Sequence, residues 1–221
     1  MTTSVETKKI AETFDDMAHD RCCEYKEKGL TASSQVLFDL VSSHGLSGKR
    51  VFEIGCGTGF FALQTLKQGA ASCVGYDIST AAIEEANSYS KELGLTDKAK
   101  FEVADGAITQ PQLSDIVVMD KVLCCYPDWT GLLRNAANAS NEFLGFVVPR
   151  DEGWMKPLMR CGAAAINFVE RIRKTGFKFY LHPLGSIDRR LIESGFEQTG
   201  KAKSRFWLIF AYTRTGESTK R

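Results

Sequence analysis

The stretch Val51-Phe-Glu-Ile-Gly-Cys-Gly-Thr-Gly-Phe-Phe61 constrains this chain more than any other. A short apolar segment, Arg50 to Ile54, runs straight into a loop with glycine at 55, 57 and 59. A helical apolar pattern through Phe61, Leu63 and Leu66 follows at once. Glycines at such a junction let the backbone turn tightly and let a ligand approach the main chain where a Cβ would clash. A buried strand entering a glycine loop and a helix predicts a doubly wound sheet, whose ligands bind at the carboxyl ends of the strands.

The rest of the chain keeps the alternation that such a sheet needs. Strands are predicted at 50–54, 72–76, 100–104, 115–119, 143–148 and 177–181. Residues 197–212 read as a terminal strand pair, or one long strand after a turn at Gly200. The predicted fold class is therefore α/β: a Rossmann-like, doubly wound, mostly parallel seven-stranded sheet with helices on both faces. With 221 residues and no internal repeat or low-complexity linker, a single domain is expected. Within it, 1–45 reads as a helical cap or lid, 46–150 as the ligand-binding core and 151–176 as a helical insert. Residues 177–212 supply the last strands, and 213–221 a polar tail.

Composition excludes several classes. A net charge of +1 creates no global field for nucleic acid or an anionic membrane, and neither is expected as a partner. The apolar run Phe206 to Tyr212 is far shorter than the roughly 20 residues that span a bilayer. Met1 to Asp16 mixes Glu, Lys and Asp without an apolar stretch, so it does not read as an address, and a cytoplasmic location is expected. The seven cysteines include the vicinal pairs 22–23 and 124–125 but no Cys-x-x-Cys, and the three histidines are scattered. That spacing predicts free thiols and no bound metal.

The ligand follows from the position of the third glycine. The dinucleotide fingerprint G-x-G-x-x-G, counted from Gly55 and Gly57, needs glycine at 60, where this chain has Phe60. Here it comes one position earlier, at Gly59, and an acid, Glu53, stands two residues before Gly55. Asp77 ends the second strand, at the distance where a carboxylate accepts two hydrogen bonds from a ribose diol. Asp105-Gly106 ends the third strand, and the strand from Asp115 leads to Asp120. Together these features, over roughly residues 50 to 130, resemble the cofactor half of the class I S-adenosylmethionine-dependent methyltransferases, whose motif I is E/D-x-G-x-G-x-G.

The resemblance implies S-adenosyl-L-methionine as cofactor and methyl transfer by in-line displacement to a small-molecule acceptor. It further implies Gly55, Cys56, Gly57 and Gly59 as the cradle, with Glu53 toward the methionine end. Asp77 and Ile78 then stand at the ribose, Asp105 and Gly106 at the adenine, and Asp120 beside the reacting methyl. Plainer readings stand next to these: a tight turn for the glycines, a helix cap for Asp77 and an Asp-Gly turn at 105–106.

For catalysis, the candidates are Tyr126, in the loop Asp120 to Asp128, and His182, placed after the predicted strand 177–181. Each also reads as ordinary structure, a packed aromatic and a loop histidine with a satisfied hydrogen bond. His19 is a further candidate base, Cys124 and Cys125 read as small hydrophobes, and Tyr25 belongs to helices that could close as a lid. In the insert, Trp154, Met155, Met159, Ala163 to Ile166 and Phe168 read as core or cap packing. Arg160, Arg171, Arg173 and Lys174 read as a solvated face whose cations suit the helix dipole.

The overall plan loosely resembles the magnesium-protoporphyrin O-methyltransferase group. The loop after the fourth strand lacks the Asn/Asp-Pro-Pro-Tyr/Phe of enzymes that methylate nucleic-acid amines. A nucleic-acid-modifying enzyme and a non-catalytic S-adenosylmethionine-binding module remain the alternatives. The acceptor atom and the oligomeric state stay open.

Overall fold

A computed structural model describes residues 4–216. Helices α1 (Ser4–Asp15), α2 (Ala18–Lys28) and α3 (Ala32–His44) precede β1 (Arg50–Ile54). Then come α4 (Phe60–Lys67), β2 (Ser72–Asp77), α5 (Thr80–Glu92), β3 (Ala99–Val103) and β4 (Ser114–Asp120). A single 3-10 turn (Leu123–Cys125) leads to α6 (Trp129–Ala139) and β5 (Ser140–Pro149). The chain ends with α7 (Met155–Arg173), α8 (Leu184–Glu193), β6 (Phe196–Ser204) and β7 (Trp207–Arg214).

The seven strands lie in the order β3-β2-β1-β4-β5-β7-β6. Strands β1 to β5 run parallel, and β7 runs antiparallel to both β5 and β6. The chain winds outward from β1 through β2 to β3, then returns to the other side of β1 as β4. The switch point therefore falls between β1 and β4, where the loops after both strands part and leave a crevice.

The central strands read as continuous apolar runs because both faces are covered. Phe52, Val117, Met119 and Phe146 point to one core with α6 and α8, while Val51, Ile116, Val118 and Val147 point to another with α3, α4 and α5. That alternation is the period of two that a strand imposes.

Four sequence expectations change. Residues 177–181 form no strand: 174–183 is an extended loop, held where Tyr180 N–H donates to the Cys124 carbonyl at 2.7 Å. Its alternating aromatics imitate a strand, but the place beside β5 is taken by β7. The sheet still has seven strands because 196–214 is a true hairpin. It turns at Arg205-Phe206, and Gly200 marks an irregularity inside β6 rather than the turn. The apolar set of α7 does not pack as expected either, since only Met155 and Ala163 of that helix are buried. The predicted polar tail also begins later, with Thr213 and Arg214 belonging to β7, while residues 217–221 lie outside the described residues.

Arg50 and Asp115 fasten the starts of β1 and β4. The Asp115 carboxylate accepts from Arg50 N at 2.9 Å, Nε at 3.2 Å and Nη2 at 2.9 Å. The guanidinium hydrogen bond pulls the Asp115 pKa down to about 2. A depressed carboxylate contributes stability that is complete above its unfolded value, about 3.9, and lost as pH falls through the folded one. Arg50 is 50% exposed, so solvent limits the pair to about 1 kcal/mol or less. Asp115→Asn is expected to lower urea-unfolding stability by that amount at neutral pH and to flatten its decline from about pH 4 toward pH 2. An unaltered acid limb in the variant would show that the pair carries none of it.

Candidate active site

The loop after β1 is built from backbone that only glycine adopts without strain. Gly55, Gly57 and Gly59 have φ of +69°, +52° and +71°. Their missing side chains serve different ends. A Cβ at Gly55 would lie 2.3 Å from Val122, and one at Gly59 would lie 2.7 Å from the Phe101 ring, so both glycines permit close packing. A Cβ at Gly57 would meet no protein atom within 4 Å. Gly57 lines the cavity, so its bareness leaves room for a ligand.

Four of the loop N–H groups are engaged by the protein. Gly55 and Cys56 both donate to the Tyr76 carbonyl at 2.7 and 3.0 Å, and Gly59 donates to Cys56 O at 2.9 Å. Gly57 N–H donates to Asp77 Oδ2 at 2.7 Å, and Ala62 N–H, in the first turn of α4, donates to Glu53 Oε2 at 3.1 Å. A phosphate cradle needs such donors free and aimed at the ligand. In this chain backbone carbonyls and two carboxylates have taken these five, and the two acids themselves face the cavity.

Four carboxylates line that space: Glu53, Asp77, Asp105 and Asp120. Glu53 is 2% exposed. Burial, reinforced by the neighbouring charge of Asp120, raises its pKa well above the ordinary carboxylate range against the pull of the Ala62 N–H. Burial also raises Asp77, although N–H donors from Ser79, Gly57 and Ile78 oppose it. Asp105 accepts from Ala107 N at 3.0 Å and from the Tyr126 hydroxyl. Asp120 accepts from Ser34 Oγ at 2.5 Å, while its Oδ1 is buried without a hydrogen-bond partner, 3.4 Å from Lys121 Nζ. Like charges in a low-dielectric crevice favour a cationic ligand over an anionic one.

The cavity holds about 680 Å³, ample for a drug-sized molecule. Its floor is the sheet end, and its roof comes from Phe14, Met17, Arg21 and Tyr25 of the N-terminal helices. Phe177 and Phe179 from the loop after α7, and Arg205 to Trp207 from the β6–β7 turn, complete the wall. The roof is fastened to α5 and α4. Asp15 accepts from Ser79 Oγ at 2.6 Å and Ala81 N at 2.9 Å, capping α5 from a distance. Tyr25 stacks on Phe60 at 5.3 Å, and Phe60 stacks on Tyr89 at 5.7 Å.

Of the residues singled out in the sequence, Glu53, Gly55, Cys56, Gly57, Asp77, Ile78, Asp105, Gly106, Asp120 and Tyr126 meet around this cavity. Gly59 does not line it and acts by packing. His182 also lies outside the lining: with no strand before it, it sits in the 174–183 loop, its Nε2 3.0 Å from the Tyr126 carbonyl and its ring stacked on Tyr180 at 5.5 Å. Burial lowers its pKa. His19 is likewise outside, its Nδ1 2.8 Å from Glu85 on α5. Tyr126 is 5% exposed, and its hydroxyl is committed to Asp105. Cys124 and Cys125 line the cavity as free thiols, and the hydrogen bond with Cys125, followed by burial, raises Cys124 well above its usual range.

Sequence reasoning missed the cluster at the start of α3. Lys121 has φ of +60°, a strained value for a residue with a side chain, and its ammonium donates to Thr31 Oγ1 at 2.8 Å and Ser34 Oγ at 2.7 Å. Thr31 caps α3, accepting from Ser34 N–H at 3.4 Å, a role its residue type permits but which points to no ligand. Nothing in the sequence brings residue 34 to residue 120.

Comparison with known proteins agrees with this geometry. A family described as "Methyltransferase domain" matches residues 46–175, more than half of the chain. The fold superposes with TM-score 0.72 on magnesium protoporphyrin IX methyltransferase from Synechocystis PCC 6803 with bound SAH. That likeness has 21% identity and covers 95% of this chain and 100% of that one. A TehB-like SAM-dependent methyltransferase from Corynebacterium glutamicum superposes with TM-score 0.62 and 15% identity, covering 92% of this chain and 100% of that one. Ribosomal protein L11 methyltransferase from Deinococcus radiodurans is 35% identical over 74 residues, 34% of this chain. The match spans only 27% of that relative's length. The glycine cradle, the acids at the strand ends and a profile match running from before β1 to beyond α7 lead to one assignment: this chain belongs to the methyltransferase-domain family, with the Rossmann-like fold of the class I S-adenosylmethionine-dependent enzymes.

Proposed function

We propose that this chain methylates a small molecule held beside S-adenosylmethionine in the roofed cavity. The observation that carries the reading is the acid-rimmed glycine cradle. The N–H groups of all three glycines and of Cys56 are engaged by the protein, so a pyrophosphate finds few donors there and meets Glu53 and Asp77 instead. When bound, S-adenosylmethionine supplies a methyl on a cationic sulfur, already activated for displacement.

In this reading Gly57 and Glu53 hold the methionine end, where the buried Glu53 carboxyl pairs with positive charge. Asp77, oriented by N–H groups at both oxygens, keeps lone pairs for the ribose diol. Asp105, fixed by Ala107 and Tyr126, accepts from the adenine amine beside Gly106. Tyr126 is then a positioning residue and not a base. Cys56 and Ile78 supply apolar wall, and Asp120 with Lys121 borders the acceptor. Since His182 and His19 lie off the cavity, the chemistry asked of the protein is positioning, and an acceptor that arrives with its lone pair free fits best.

The roof supports a compact acceptor over a polymer. A protein acceptor, as named for the L11 methyltransferases, would have to enter under α1 and α2, which are tied to α5 by Asp15 and by an ion pair between Lys26 and Glu92. Nucleic acid is disfavoured by the acids that line the crevice.

Radiolabelled methyl transfer from S-adenosylmethionine to a metabolite panel tests the reading. Label in small molecules is expected, and label only in added protein or RNA would sink it. By calorimetry, Asp77→Ala is expected to weaken S-adenosylmethionine binding by about 1–3 kcal/mol, the range for lost charged hydrogen bonds; unchanged affinity would remove Asp77 from the ribose. Affinity in the parent chain should also fall as pH drops, because protonating Glu53, whose pKa is raised, discharges its pairing with the ligand cation. Glu53→Gln should bind weakly at every pH and lose that dependence, and a parallel decline in both proteins would assign it elsewhere.

A further inference from the structure

Two pairs of adjacent cysteines look alike in the sequence, Cys22-Cys23 and Cys124-Cys125, and the fold sets them apart. On α2, helical geometry turns neighbouring side chains about 100° from each other. Cys22 is therefore buried while Cys23 is exposed, with its sulfur 3.7 Å from His19 Nε2. Cys124 and Cys125 occupy the 3-10 turn after β4, and their sulfurs converge to 3.5 Å. Both thiols donate to one acceptor, the Lys121 carbonyl, at 3.1 Å from Cys124 and 3.4 Å from Cys125. Both residues line the cavity.

The spacing of these two sulfurs selects what they can hold. With bonds of about 2.3 Å, the length of a thiolate on zinc, sulfurs 3.5 Å apart subtend about 100° at a shared atom. A linear two-coordinate centre would need them about 4.6 Å apart at that bond length. A tetrahedral metal needs further ligands, and among the described residues no three His, Cys, Asp or Glu side chains are grouped to hold one. A pyramidal three-coordinate atom fits. Its lone pair closes the bond angles below the tetrahedral value, and its third bond goes to a group the protein need not supply. Trivalent arsenic is such a centre, soft enough to prefer sulfur to oxygen.

Charge favours the same class of ligand. The negative charge of Asp120 opposes a thiolate at Cys124. An arsenical of the form R–As=O condenses with a dithiol without leaving charge behind. The arsenic–oxygen double bond and two S–H bonds break, two As–S bonds form, and both protons leave in one water. Arsenic stays trivalent, so no oxidant or reductant enters. The organic group has apolar company, because Phe177 and Phe179 line the cavity from the 174–183 loop, whose Tyr180 N–H donates to the Cys124 carbonyl at 2.7 Å.

We propose that Cys124 and Cys125 form a chelating dithiol site for a trivalent organoarsenical carrying an aromatic group. The pair hangs from the carbonyl of Lys121, which borders the acceptor in the proposed function, but chelation does not depend on which molecule accepts the methyl.

Phenylarsine oxide added in equal amount to the full chain, kept reduced by a phosphine, tests the proposal. Intact-mass spectrometry is expected to show one adduct, and fragmentation to place it on 124–125 with 22–23 unmodified. Excess 2-mercaptoethanol should leave the adduct in place, and 2,3-dimercaptopropanol should remove it, the mark of two sulfurs on one atom. Cys125→Ser, at the less buried position, should weaken binding by about a hundredfold, the scale of losing one arm of a bidentate contact. Cys124→Ala should do the same, and Cys23→Ser should bind as the parent does. An adduct at 22–23 instead, one removed by the monothiol, or one that survives Cys125→Ser would each overturn the proposal. So would the absence of any adduct.

Discussion

The site depends on a hydrogen bond 2.7 Å long, from Gly57 N–H to Asp77 Oδ2. It joins the loop after β1 to the loop after β2, the two sides of the crevice, and the other Asp77 oxygen accepts from Ser79 N–H at 2.9 Å. One carboxylate therefore holds the glycine loop open and presents the start of α5. Its burial raises the cost of its charge, and the N–H donors offset it. Without that acid the Gly57 N–H would be left facing the cavity, and the site would become a donor for anions.

The same exchange occurs at Glu53, which takes the Ala62 N–H in the first turn of α4. A helix N-terminus behind a glycine loop ordinarily attracts phosphate. Here an acid from the preceding strand fills that role internally, and the sign of the site reverses. Fold alone would not separate a dinucleotide site from this one, because both use the same crevice of a doubly wound sheet. The distinction lies in which group satisfies the N–H donors. Burial is deepest at Glu53, and low dielectric there strengthens its interaction with any cation that enters.

How much of this was legible depended on the range of the interactions. The parallel core was readable because Val51 to Ile54, Glu53 apart, Ile116 to Met119 and Phe143 to Val148 are apolar on both faces, and the glycine loop follows the first of them. Acids at strand ends are fixed by local sequence, so the four carboxylates and the glycine loop were named in advance, while most residues of the roof and wall were not. The 177–181 segment misled because its aromatics alternate as a strand's do, and sequence does not say that β7 already occupies the place beside β5. His182 was misjudged for that reason. Ser34 meeting Asp120, Asp15 capping α5, and Tyr126 bonding Asp105 all join distant segments or depend on a loop's path, and none leaves a periodic trace.

Helix α7 shows the same limit from the other side. Periodicity says that apolar residues share a face, and it does not say what the face meets. The spacing of Trp154, Leu158, Cys161, Ala165, Phe168 and Ile172 satisfies a core-packing pattern, yet the face that packs is the other one, through Met155 and Ala163. A helix with apolar residues on both its inward and outward sides needs two partners, and the protein supplies one.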